Sequence, residues 1–153
     1  MLLRHALATL AYRAGKAIRD APPEFGAYSP ASGSRTAGQI LAHMGDLMDW
    51  GASIARGKQT WKNSPVQAWD AGVQRFFDAL AAFDAAIATA APDDTLAAKL
   101  FQGPIADALQ HTGQLTMMRR LAGSPIKAEN YFVAAIVGGQ VGPDQPPPRA
   151  EFD

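Results

Sequence analysis

The chain has 153 residues, 14 basic and 14 acidic side chains, and no cysteine. That length suits one domain with a proper core. Zero net charge argues against a nucleic-acid surface or a polybasic membrane patch, and the missing cysteines exclude disulfides, thiolate metal ligands and a cysteine nucleophile.

Residues 2 to about 20 form the first predicted helix. Leu3, Leu7, Leu10, Ala14 and Ala17 repeat at intervals of 4, 3, 4 and 3, a single apolar stripe. His5 falls off that stripe, in line with Thr9, Tyr12 and Lys16, and reads as a solvated side chain. Arg4, His5, Arg13, Lys16 and Arg19 interrupt the segment, so it reads as a mature helix and not as a signal peptide or membrane span. A cytoplasmic protein is the expectation. Pro22-Pro23 stops the helix, and the loop 22–35 either covers a functional surface or crosses from one end of a bundle to the other.

Thr36 and Gln39 match a capping box that opens a second helix. Ile40, Met44, Leu47, Gly51 and Ile54 continue the 4, 3, 4, 3 stripe to a stop near Arg56, with Gly57 as a left-handed cap. His43 lies beside Ile40 and Leu47 and so faces the core or its margin, with Asp46 one turn on. Ser64-Pro65-Val66-Gln67 matches a second capping box, with proline at the first helical position. The third helix follows, with a heptad seam of Val66, Trp69, Val73, Phe76, Leu80, Phe83 and Ile87. Pro92 ends it.

Asp93 or Asp94 caps a fourth helical stretch, which Gly103-Pro104 is expected to break. A fresh segment then runs from Pro104 to Ala122, with Gly123 and Pro125 as its stop. Residues 129–137 form a short apolar element, helix or strand. The domain is expected to span 1–137, followed by an extended Gly/Pro-rich C-terminal arm over 138–153. Four amphipathic helices with heptad-like seams predict an all-α fold, a four-helix bundle.

Asp107 and His111 are four residues apart, which puts both on one helix face. An acid near a helix N-terminus is also favoured by the macrodipole alone. Bundles build metal sites from facing helices, and His43 would complete a three-ligand set of two imidazoles and one carboxylate. Such a set leaves positions open for water or substrate and suits zinc, nickel, iron or manganese. Gln114 and Asp46 stand where they could orient His111 and His43. No metalloprotease, nucleophile-elbow or phosphate-loop motif is present.

The segments RTAGQILAHMGDLMDW and HTGQLTMMRRLAGSPIKAENYF resemble the two signature regions of the DinB-like superfamily. That group includes relatives of mycothiol-dependent maleylpyruvate isomerases and bacillithiol transferases. The resemblance covers roughly residues 1–125. It implies a bundle with one divalent metal, zinc or nickel foremost, often in a homodimer. His43 and His111 match ligands of the family, and Asp107 replaces a histidine. The implied chemistry is a metal-dependent transferase or isomerase using a low-molecular-weight thiol and a small electrophile. The alternative is a non-catalytic, stress-related dimer with a degenerate site, favoured by that replacement. The loop 22–35 and the C-terminal arm would shape the pocket, with Trp50 and Tyr131 as candidate linings.

Overall fold

The computed structural model describes residues 2–152. The fold is all-α, with α1 (Leu2–Ile18), α2 (Ala37–Ala55), α3 (Trp69–Ala90), α4 (Asp94–Leu100) and α5 (Ala106–Leu121). Its only strand pairing among the described residues is a two-residue antiparallel bridge, β1 (Ala128–Glu129) with β2 (Glu151–Phe152). No helix among the described residues is long and apolar enough to cross a membrane.

The apolar stripes account for the core. Leu7, Leu10, Ala14 and Ala17 of α1 are buried, as are Ile40, Met44, Leu47 and Gly51 of α2. Phe76, Leu80, Phe83 and Ile87 of α3 meet them. The most extensive helix contact is between α2 and α3. Gly51 makes it possible, because a β-carbon there would stand only 2.4 Å from Phe83 Cε1. Thr36 and Gln39 form the expected capping box, and Gly57 takes the expected left-handed conformation at φ +76°.

Two boundaries differ from the sequence reading. The third helix starts at Trp69, not at Ser64, and Val66 is exposed and outside the seam. The Ser64 capping box does not form. The Ser64 backbone N–H donates to Asp46 Oδ2 at 3.0 Å, and its hydroxyl accepts from Arg75 Nη2 at 2.9 Å. Those longer-range partners take the groups a cap needs, and residues 57–68 run as an irregular connection.

Nor does Gly103-Pro104 break the fourth helical stretch. Asp93 caps α4 through its carboxylate. A π-helical turn, Phe101–Ile105, then carries the chain straight into α5. Pro104 has no N–H to donate, and its ring would press on the carbonyl one α-turn back. Widening the turn removes that clash. The single extra residue also rotates the following helix by about 100° relative to an unbroken one.

The segment after α5 is mostly irregular. Residues 129–137, read as helix or strand, give the end of β1, a 3₁₀ turn at Tyr131–Val133 and extended chain. The arm folds back on α1. Lys16 Nζ holds Glu129 at 2.9 Å and Glu151 at 2.7 Å, and the Tyr12 hydroxyl donates to Glu129 at 2.7 Å. Tyr12 and Lys16 are therefore covered, while His5 on the same line is exposed as expected.

Candidate metal centre

The centre is built between α2 and α5. His43 comes from the middle of α2, and Asp107 and His111 come from the first turns of α5, directly after the π turn. The structure brings all three together. Asp107 Oδ2 lies 3.6 Å from His43 Nε2, and Oδ1 lies 3.3 Å from His111 Nε2. The two imidazoles meet edge to face with centroids 4.9 Å apart. One donor atom from each residue falls within 4.8 Å of the others. Two ligands at zinc-like bond lengths and a tetrahedral angle stand about 3.4 Å apart. The two histidine–carboxylate spacings, each to a different oxygen of Asp107, lie near that value, and the group could hold a divalent ion.

Gln114 does what its position suggests. Its Oε1 lies 2.7 Å from His111 Nδ1. An amide oxygen only accepts, so the proton sits on Nδ1 and Nε2 is left free on the side of Asp107. His43 is held below the ordinary imidazole pKa, by burial first and then by His111 and the Arg35 charge, against Asp107. A neutral imidazole is the form that binds metal. Arg35, the last residue of the loop 22–35, contributes its charge there.

Asp46 does not support His43. Its carboxylate instead takes Arg75 Nη2 at 2.7 Å and the Ser64 N–H, tying α2 to the connection and to α3. Tyr131 does not line the site either. It packs edge-on against Tyr12 with Arg13 over its face, on α1. Trp50 lies one ring away from the site, against Trp61 at 5.8 Å and beside Gly103.

The residue that sequence reasoning missed is Trp61. Its ring stands 5.7 Å from that of His43, edge to face. It sits in the irregular 57–68 connection, where no periodicity marks a side chain as inward-facing. The mere presence of a bulky aromatic in a polar stretch was its only signal. A hollow of about 1070 Å³ lies elsewhere. It is lined by Leu3, Ile87, Phe101 and Leu109 among others, and by none of His43, Asp107 and His111.

Comparison with family models, with curated proteins and with solved structures returned no match.

Proposed function

We propose that this chain is a DinB-like four-helix-bundle protein that binds one divalent metal, zinc or nickel foremost, on His43, Asp107 and His111. The observation that carries the reading is the convergence of their three donor atoms within 4.8 Å across two helices. Gln114 behind His111 supports it, because an oriented imidazole is what a metal ligand needs.

Bound there, the ion would supply Lewis acidity, lowering the pKa of a coordinated thiol or water. The chain's own residues set the rest. His111 is fixed in one tautomer by Gln114. His43 is kept neutral. Asp107, with 41% of its side chain exposed, leaves the outward face open to a ligand. The proposed activity is a transferase or isomerase reaction between a low-molecular-weight thiol and a small electrophile, in a homodimer.

A second reading is favoured by one observation. Asp107 already bridges both histidines at 3.3 and 3.6 Å, so a proton can hold the trio together without an ion. On that reading the protein is a non-catalytic bundle. Elemental analysis of untagged protein separates the two. Stoichiometric metal in the wild type, lost in His43→Ala and His111→Ala, is the expected result. No metal, or the same metal in both variants, overturns the metal reading.

A further inference from the structure

We infer that Trp61 makes the open side of this centre selective for a flat, apolar group, so that the ligand or substrate bound there is aromatic or conjugated. The inference rests on the metal reading above and adds the class of molecule to it.

The geometry is a graded series of rings. His111 has 10% of its side chain exposed and His43 has 23%, while Trp61 is 41% exposed. Exposure thus rises outward from the innermost ligand to the indole. Trp61 stands edge to face with His43 at 63°, and Trp50 meets it edge to face at 86°. The indole is held on two counts, because its N–H also donates to Asn63 Oδ1 at 3.1 Å. With that polar group satisfied, what Trp61 has left to offer is its apolar surface. The indole stands partly exposed beside His43, one of the three residues that could hold the ion.

A group that binds the ion on the His43 side comes within reach of that surface. A planar apolar substituent gains dispersion and quadrupole contacts there. A small aliphatic one gains little. The expected discrimination is about twofold to tenfold in affinity, the range of one aromatic pair.

The test uses zinc-loaded protein and two metal-binding probes that differ only in the substituent, benzohydroxamate and acetohydroxamate. Titration calorimetry is run on the wild type, Trp61→Ala and Trp61→Phe, with zinc affinity measured separately on each. Benzohydroxamate should bind the wild type about twofold to tenfold more tightly than acetohydroxamate. In Trp61→Ala, compared at zinc saturation, that ratio should fall toward one. Trp61→Phe should keep most of it. Equal binding of both probes to zinc-loaded wild type, or an undiminished ratio in Trp61→Ala, overturns the inference and leaves the metal centre standing. A wild type that binds no zinc overturns both.

Discussion

His111 Nδ1 and Gln114 Oε1 are 2.7 Å apart, within one helical turn of each other on α5. The contact decides which imidazole nitrogen is free. It also makes Gln114 the residue whose removal tests the centre without touching a ligand. Gln114→Ala should weaken zinc binding by about 10- to 100-fold, the usual cost of losing such a partner. Gln114→Glu should retain or raise affinity, because a carboxylate also accepts from Nδ1–H. Competition against a chromogenic chelator measures both. Equal affinity in all three proteins would show that the hydrogen bond is incidental.

Asp107 should decide the choice of metal. A carboxylate adds negative charge and a hard oxygen donor, which favours manganese more than an imidazole does. Asp107→His should therefore keep zinc binding and weaken manganese by about tenfold or more. Asp107→Ala should weaken both. Parallel titrations with the two ions check this. An unchanged manganese-to-zinc ratio in Asp107→His would mean that the carboxylate is not a ligand.

Gly51 should be intolerant of any side chain. A β-carbon at this position would meet Phe83 at 2.4–3.0 Å, and Phe83 is itself fully buried between α2 and α3. The ring is wholly buried and has no solvent to swing into. Gly51→Ala should thus cost about 1–3 kcal/mol, although alanine is the better helix former. Gly113 makes the control, since a β-carbon there meets nothing within 4 Å. Gly113→Ala should be neutral or stabilising by about 0.5–1 kcal/mol. Chemical denaturation of both variants gives the comparison.

The contrast between Gly51 and Trp61 shows where sequence reading works in this chain. Gly51 sits in a stripe, and the stripe alone places it on the core face of α2. The same holds for Phe76, Leu80 and Phe83, and for His43 between Ile40 and Leu47. The one-turn pairing of Asp107 with His111, and of His111 with Gln114, is likewise local. What escaped depends on partners distant in the chain. Ser64 has a good local cap signature, yet Asp46 and Arg75 compete for its polar groups and win. Gly103-Pro104 has a break signature, yet a π turn keeps the helix continuous. Trp61 carries no period at all. Tyr12 and Lys16 look solvated by phase, and only a segment more than 100 residues away covers them.

That cover should give the fold an acid-sensitive tie. Burial by itself would raise the Glu129 carboxyl pKa, but hydrogen bonds from Lys16 and Tyr12 outweigh it, and the net shift is downward. A carboxyl with a depressed folded pKa contributes stability that is present above its unfolded value. It is lost as pH falls through the folded one. Burial likewise works to lower the Lys16 pKa, and Glu151 and Glu129 reverse it, so Lys16 stays charged throughout the neutral range. The ion pair is therefore complete near neutrality and fails on the acid side, below the ordinary carboxyl range of about 4.5. Glu129→Gln removes the titrating group and keeps an acceptor for Tyr12. It should cost about 2 kcal/mol at pH 7, from a buried pair with one charge deleted. The difference from wild type should shrink as pH drops from about 5 to 3, because the wild-type carboxyl becomes neutral too. Urea denaturation of both proteins across that range checks the sign. A constant difference at every pH would show that Glu129 acts by packing and not by charge.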